Sequence, residues 1–431
     1  MRVKTTFAIE DFVLFKDALL YWAQRFDTVL FLDSNGHKDK HSSFEVLLAL
    51  GAAQHLSIAA ADGFQKLSDF NQKLNDWLFG YLSYDLKNEL EALSSNNFDG
   101  IGFGQLHFFQ PKKLIRLTNE TVEFLYLEKY ADEVAGDFKE ISACREGKTA
   151  SVGNKPKIKL RIHKEAYLDK VRAVLEEIKK GTIYEVNICQ EFYAEHSYID
   201  VVKSFLHLNR ISKAPFAAFL RLDNHYLLCA SPERYLKKNG DTVISQPIKG
   251  TAGRSTNAFK DEQFKIRLEN DTKERTENIM IVDLVRNDLS KSAVKGSVTV
   301  EELCKVYTFE QVHQMISTVS SKTEEDLDAV QLLKDTFPMG SMTGTPKVSA
   351  MKVIERVEET KRGLYSGAVG YFDPNKNFDF NVVIRSILYN AEKRYLSFSV
   401  GSAITAKSEP LKEYEECLLK AKAMRDVLES N

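Results

Sequence analysis

From residue 8 to residue 28, apolar and polar positions alternate at helical spacing. The run Val29-Leu30-Phe31-Leu32-Asp33-Ser34-Asn35-Gly36 then carries apolar side chains into a turn, the mark of a strand. The most apolar stretch, Val46 to Ala61, is interrupted by Gln54 and His55. It is too short and too polar to span a bilayer and reads as a buried helix. Aromatic-rich strands are expected at Leu78 to Asp85, Gly104 to Phe109 and Thr121 to Leu127, so this part reads as antiparallel sheet with helices between. Cys144 to Lys159 holds Gly, Lys, Ser, Asn and Pro with almost no apolar periodicity. It reads as a linker, with a boundary near 155 dividing residues 1–150 from 155–428.

Beyond that boundary, Tyr167, Val171, Val174, Leu175 and Ile178 share one face of a helix that Gly181 closes. Ile183 to Phe192 alternates like a half-buried strand. Tyr226 to Lys238 and Asp241 to Gln246 flank Asn239-Gly240, a two-residue hairpin signal. With that turn, Glu233 is expected opposite Gln246. Ala258 to Ser292 reads as one or two helices. Thr345-Pro346 reads as an N-cap with proline at the first helical position, opening a helix through Glu359. Strands are expected at Tyr365 to Asp373, Asn381 to Asn390 and Tyr395 to Ile404, and a last helix from Pro410 to about Leu428.

Composition adds limits. The length of 431 residues allows two or three domain-sized units or one large intertwined fold. Hydrophobic residues at 43% and charged ones at 28% fit a soluble globular chain. A net charge of −2 with both signs interspersed offers no basic stripe for nucleic acid. The start, Met1 to Phe7, lacks the apolar core of a signal peptide. The five cysteines are scattered and none has metal-site or CxxC spacing, which reads as reduced thiols in a cytoplasmic protein.

The candidate chemistry gathers around Pro247-Ile248-Lys249-Gly250-Thr251-Ala252-Gly253-Arg254. Pro247 donates no N–H, so the strand before it should end or bulge there. Lys249 is then either a solvated surface charge or a placed amine. Ser231-Pro232-Glu233-Arg234 comes near it through the hairpin. Strict alternation sets Glu233 and Lys249 on opposite faces, so the pattern predicts proximity and leaves facing open. Such a pair suits a general acid beside a nucleophilic amine whose pKa burial lowers. Acids at Glu274, Glu277, Asp283 and Asp288, with Glu413 and Glu416 on one helical face, are oxygen-only ligands that suit Mg²⁺, or are ordinary complements to helix dipoles. Phe337 to Lys347, which includes Ser341, Thr343 and Gly344, is a Gly-rich loop running into a helix N-terminus that could hold an anion. It is not a P-loop. The Gly401-Ser402 turn could do the same, and Arg385, in a mostly apolar strand, is either a carboxylate partner or an exposed charge. Together these suit a small polycarboxylate undergoing elimination or substitution.

The segments Ile183 to Asn187, Ser231 to Arg234, Pro247 to Thr251, Ile281 to Asp288, Gly340 to Lys347, Tyr365 to Tyr371, Asn381 to Ser386 and Glu413 to Glu416 resemble, in that order, the chorismate-utilising enzymes. That family includes anthranilate synthase component I, aminodeoxychorismate synthase component I, and the isochorismate and salicylate synthases. The resemblance covers about 160 to 428. It is weaker before 150, through Phe31 to Ser34 and Gly80 to Asp85. It implies an α+β fold: two large, mostly antiparallel sheets packed as a sandwich with helices outside, the N-terminal region contributing to the same sandwich. It implies Mg²⁺ held by Glu277 and Glu416, with Glu413 nearby through water. Glu233 maps to the general acid for the C4 hydroxyl of chorismate. Tyr365, Arg385 and the Gly401-Ser402 backbone map to groups holding carboxylates. Thr251, Ser341, Thr343 and Gly344 fall in substrate-facing segments.

Two positions choose among members. The water-using synthases carry a lysine where Glu185 stands, and the anthranilate synthases typically carry alanine where Lys249 stands. Lysine there implies attack on C2 of chorismate and then amination at C4, giving 4-amino-4-deoxychorismate for 4-aminobenzoate and folate. Anthranilate formation and non-catalytic chorismate binding are the alternatives. Many members have a histidine one residue beyond His313, where this chain has Gln314, so His313 is a candidate through a register slip. No cysteine lies in a Gly-x-Cys-x-Gly turn, so ammonia is expected from a separate glutamine amidotransferase subunit.

Overall fold

The structure, a computed structural model, describes residues 1–37, 40–59, 61–145, 155–310 and 312–430. Residues 146–154 of the expected linker lie outside the described residues.

Among the described residues, twenty strands join one continuous antiparallel network. It folds into two leaves, so the expected two sheets are present as halves of one ladder. The first leaf runs from Glu185–Ala194 through Tyr395–Thr405, Ser386–Asn390, His225–Ser231, Phe216–Leu222, Thr28–Asp33, Val46–Ile58 and Leu106–Leu117 to Thr121–Leu127 and Arg2–Ala8. The second runs from Leu106–Leu117 through Leu78–Leu82, Ala368–Phe372, Phe378–Val382, Arg234–Asn239 and Thr242–Gln246 to Val312–Lys322, which also pairs with Ile248–Gly253 and Thr299–Thr308. Strands from before and after residue 150 are neighbours in both leaves.

Alternation along each strand explains the layering. In Thr28–Asp33, Val29 and Phe31 pack with Leu19 and Leu20 of helix Phe12–Ala23 and Phe205 of helix Val201–Ser212. Leu30 and Leu32 face the other way and pack with Phe79, Phe108 and Phe380 of the second leaf. Helices Lys164–Lys179 and Pro410–Ser430 cover the first leaf. Gly63–Leu74, Ala329–Thr336 and Thr272–Ser290 pack on the core that includes the second.

Val46–Ile58 is a strand, not the buried helix expected. An apolar run buried on both faces has no diagnostic period, and its polar interruption falls at a bulge between Ala52 and Gln54, where the strand passes from one leaf to the other. The strand expected at Gly104 to Phe109 extends to Leu117 through Pro111 and makes the same passage. Ala258 to Ser292 is two helices, Ala258–Glu269 and Thr272–Ser290, parted where the Asp271 carboxylate accepts from the N–H groups of Lys273 and Glu274. The later helix is Lys347–Val357, with Pro346 at its N-cap, one residue earlier in role than expected.

Candidate active site

Two neighbouring strand pairs break at one level. His225–Ser231 belongs to the first leaf and Arg234–Asn239 to the second, so the chain crosses between leaves at Pro232-Glu233. Beside it, Phe378–Val382 and Ser386–Asn390 cross at residues 383–385. The Ala230 N–H donates to the Arg385 carbonyl at 3.2 Å and the Val382 N–H to the Glu233 carbonyl at 3.1 Å. Arg385 is thus not in a strand, as expected, but in the break, with φ +52. That left-handed backbone costs a non-glycine residue energy and turns the side chain out of the ladder.

The crossing is one wall of a cleft of about 540 Å³. Glu233, Lys249, Thr251, Glu277, Ser341, Tyr365, Arg385, Gly401 and Glu416 all line it, with Asn187, Lys273, Glu274, Gln314 and Lys420. His313, Thr343, Gly344, Ser402 and Glu413 do not. A second cavity of about 260 Å³ lies beyond the crossing and shares Pro232 and Ile248 with the cleft.

The hairpin explains the juxtaposition. Its turn centres on Gly240-Asp241, so Asn239 pairs Thr242, and a bulge between Arg234 and Lys237 leaves Arg234, not Glu233, opposite Gln246. After Pro247 a second bulge between Ile248 and Thr251, with Gly250 at φ +90, breaks alternation and brings Lys249 into the cleft that Glu233 lines. The Lys249 Nζ then reaches across to the first leaf and donates to Glu185 Oε1 at 2.8 Å. Glu185 has no exposed surface, and the Lys249 side chain is 11% exposed.

Burial works to lower the Lys249 pKa, but the Glu185, Glu277 and Glu233 carboxylates outweigh it and hold the amine above its ordinary value. The lowering expected from burial alone is therefore absent: without substrate, Lys249 is a paired ammonium. Glu233 shows the reverse balance. Burial raises its carboxyl to about 7, against the smaller pulls of Ser341 and Lys249. The Ser341 hydroxyl lies near it but completes no hydrogen bond.

Glu277 and Glu416 face the same cleft from helices Thr272–Ser290 and Pro410–Ser430. Burial lifts Glu277 to about 7, and its Oε1 has no hydrogen-bond partner. Burial opposes ionisation of Glu416, yet Lys420 at 2.6 Å, with Lys273 and Lys249 further off, keeps it below the usual carboxylate range. Among the described residues no three His, Cys, Asp or Glu side chains converge on a point where they could hold a metal ion. What the cleft does offer is the unpartnered Glu277 Oε1 and the Glu416 carboxylate, oxygen donors of the type that Mg²⁺ accepts when substrate and water supply its remaining ligands. Glu413 sits behind, accepting from the Ser402 hydroxyl and lying 3.4 Å from Lys273. Asp283 and Asp288 are spent on Arg286 and on Lys291 and Lys347.

The Arg385 guanidinium pairs with no carboxylate among the described residues. Burial works against its charge, with Tyr365 and Glu416 offsetting part of that. A cation so placed calls for an anionic guest. The Gly401-Ser402 segment is not a turn but part of Tyr395–Thr405, paired with Cys189 and Ile188. Strand pairing on its other edge stops at Ser397. A Cβ at Gly401 would stand 2.6 Å from Asn187 Oδ1, so only glycine keeps this wall close. The Gly-rich loop gives the cleft Ser341 and Met342. Gly344 instead pairs with Val186, and Thr343 Oγ1 donates to Met339 O at 3.1 Å.

His313 faces away from the cleft. Its Nδ1 is 2.9 Å from Thr308 Oγ1 and its Nε2 3.1 Å from Asp261 Oδ1, while Gln314 points into the site. Strand alternation decides this, with no register slip. Sequence reasoning missed Asn187, Lys273 and Lys420, and the clamp beneath them. Arg362 donates to Met342 O at 2.6 Å and Asn187 O at 2.7 Å and is paired with buried Glu358. Glu358 in turn accepts from the Cys189 N–H at 2.8 Å. No spacing rule links positions so far apart in the chain.

Residues 27–426 match the family model described as chorismate binding enzyme. Aminodeoxychorismate synthase component 1 of Escherichia coli (strain K12) is 40% identical over 266 residues, 62% of this chain and 58% of that protein. An anthranilate synthase component I-like protein of Synechocystis sp. is 32% identical over 355 residues, 82% of this chain and 72% of that one. The aminodeoxychorismate synthase relatives are matched over 28% to 58% of their own lengths. The crystal structure of anthranilate synthase component I from Streptococcus pneumoniae TIGR4 shares the fold, with a TM-score of 0.78 at 22% identity, covering 90% of this chain and 95% of that one.

Proposed function

The chain belongs to the chorismate binding enzymes, matched over residues 27–426, and on that premise we propose that it aminates C4 of chorismate to form 4-amino-4-deoxychorismate, as an aminodeoxychorismate synthase component I. The observation that carries this reading is the amine of Lys249 in the cleft that Glu233 also lines. Lys249 attacks C2, the diene electrons shift, and Glu233 in its acid form protonates the departing C4 hydroxyl. Ammonia then adds at C4 and releases the lysine. A protein nucleophile divides one difficult substitution into two easier ones. Arg385, Tyr365, Thr251 and the Gly401 backbone hold the substrate's carboxylates, with Ser341 and Gln314 as polar neighbours. Glu277 and Glu416 would hold Mg²⁺, which when bound would neutralise the ring carboxylate. Ammonia comes from a partner glutamine amidotransferase, the part that the word component in the relatives' names leaves for another chain. No helix among the described residues is long and apolar enough to cross a membrane.

The test is an incubation with chorismate, Mg²⁺ and ammonium salt, with and without a lyase that converts 4-amino-4-deoxychorismate to 4-aminobenzoate. Product seen only with the lyase supports the reading. Fluorescent anthranilate formed without it assigns the chain to amination at C2 instead, and no product under ammonia saturation removes catalysis from the account.

A further inference from the structure

The Lys249–Glu185 pair asks for an explanation that the substrate-binding groups do not supply. Glu185 does not line the cleft; it lies behind Lys249 with no exposed surface, and its Oε2 has no hydrogen-bond partner. A carboxylate in that position is costly unless its charge is used. Its Oε1 is 2.8 Å from the Lys249 nitrogen, hydrogen-bond range for proton transfer. The strand holding it is paired on both sides at this point, with Thr405 and with Thr345, so the carboxylate is on a rigid support.

The chemistry needs two carboxyl groups in opposite states. Resting on the function proposed above, the lysine must shed a proton to attack, while Glu233 must still carry one to give to the leaving hydroxyl. One group cannot do both at the same moment. We propose that Glu185 is the acceptor of the Lys249 proton, so that the nucleophile is unmasked by an internal transfer instead of by loss to solvent. In the first step the proton moves from Nζ to Glu185 Oε1. The Nζ lone pair forms the bond to C2, the C4–O bond breaks, and the hydroxyl leaves as water with the proton of Glu233. The attached nitrogen is then a secondary ammonium. In the second step ammonia bonds to C4 and gives its surplus proton to Glu233. The Nζ–C2 bond breaks, and the released amine recovers its proton from Glu185. Both carboxyl groups end as they began. The other charged groups that face Lys249 are Glu277 from helix Thr272–Ser290, itself beside Lys273, Glu233 from the crossing, and, further off, Glu416 from helix Pro410–Ser430, itself paired with Lys420.

Transfer within a hydrogen-bonded pair needs no exchange with solvent, whereas a lysine without an acceptor beside it must lose its proton to the bulk. Glu185→Gln preserves size and a hydrogen bond but accepts no proton. The ratio of variant to parent amination rate, at saturating chorismate, Mg²⁺ and ammonium, cancels the titration of ammonium and of Glu233. It is expected to be about 0.01 or lower at pH 7 and to rise about tenfold per pH unit from 6 to 8. A second readout needs no turnover: acetylation of Lys249 by acetic anhydride, followed by peptide mass spectrometry without chorismate, is expected to be faster in Glu185→Gln at each pH. A ratio that stays flat with pH overturns the proton-acceptor role, and unchanged acetylation overturns the coupling itself. Lys249→Ala, run alongside, keeps the two readings apart. Full amination by that variant removes the nucleophile and this proposal with it, while a dead Lys249→Ala with a flat Glu185→Gln ratio removes only the role of Glu185.

Discussion

Glu233→Gln probes the acid end of the site, and its effect follows from burial. At its ordinary value of 4.5 a carboxyl is only about 0.3% protonated at pH 7, whereas Glu233 near 7 is about half protonated. The buried crossing thus raises the acid population on the order of 150-fold at neutral pH. In the proposed mechanism the acid form is the active one, so the rate of C4–O cleavage should be flat below about 7 and fall about tenfold per pH unit above it. Glu277 is also lifted to about 7, so the assay is run at saturating Mg²⁺, which at the site proposed above should keep Glu277 from adding its own limb. Glutamine at 233 donates only a hydrogen bond, so single-turnover loss of chorismate should slow by about 10²- to 10⁴-fold, or about 3–5 kcal/mol of barrier, and lose the alkaline limb. The assay is rapid-quench analysis of chorismate consumption from pH 5.5 to 9 in parent and variant. An alkaline limb that persists unchanged in Glu233→Gln would refute the assignment.

Arg385→Met should raise the KM for chorismate about 100-fold with little loss of stability, since it removes a cation that pairs with no carboxylate among the described residues; initial-rate kinetics and a melting curve check both halves. Arg362→Met strands the buried Glu358 carboxylate and should cost about 3–5 kcal/mol of stability, part of it recovered when Glu358→Gln is added. Thermal or urea unfolding of the single and double variants reads this, and a single variant as stable as the parent would contradict it. Gly344→Ala and Gly240→Ala both place a side chain at positive φ, but only the first drives its Cβ to 2.2 Å from the Glu185 carbonyl, while the second meets nothing within 4 Å. The first should lose soluble folded protein or several degrees of melting temperature, and the second should cost only about 1 kcal/mol.

Short-range signals carried the outline of the fold. The β-branched and aromatic runs at Thr28–Asp33 and Thr121–Leu127, and the capped helix after Lys164, needed only local pattern. Val46–Ile58 misled because a strand passing through two leaves is apolar on both faces where it is central, and burial erases its period. The residue types of the site were legible, but their facing was not. The bulges at Arg234–Lys237 and Ile248–Thr251 decide where Lys249 points, and neither leaves more than a proline or glycine in the sequence. The break that turns Arg385 into the cleft falls in Val382-Val383-Ile384-Arg385-Ser386, with no proline or glycine to mark it. His313 and Gln314 differ by one residue, which in a strand means opposite faces, and only the pairing register tells them apart. The Glu185–Lys249 contact joins two leaves across 64 positions of chain, a tertiary fact with no local trace.

The proposed mechanism requires Lys249 to form a bond to the substrate. Intact-protein and peptide mass spectrometry after mixing the protein with chorismate and Mg²⁺ in the absence of ammonia tests it directly. The expected result is an adduct of chorismate less one water on Lys249, absent from Lys249→Ala and discharged to 4-amino-4-deoxychorismate when ammonium is added. Formation of that product by a protein that never carries the adduct, or an adduct on another residue, would contradict it.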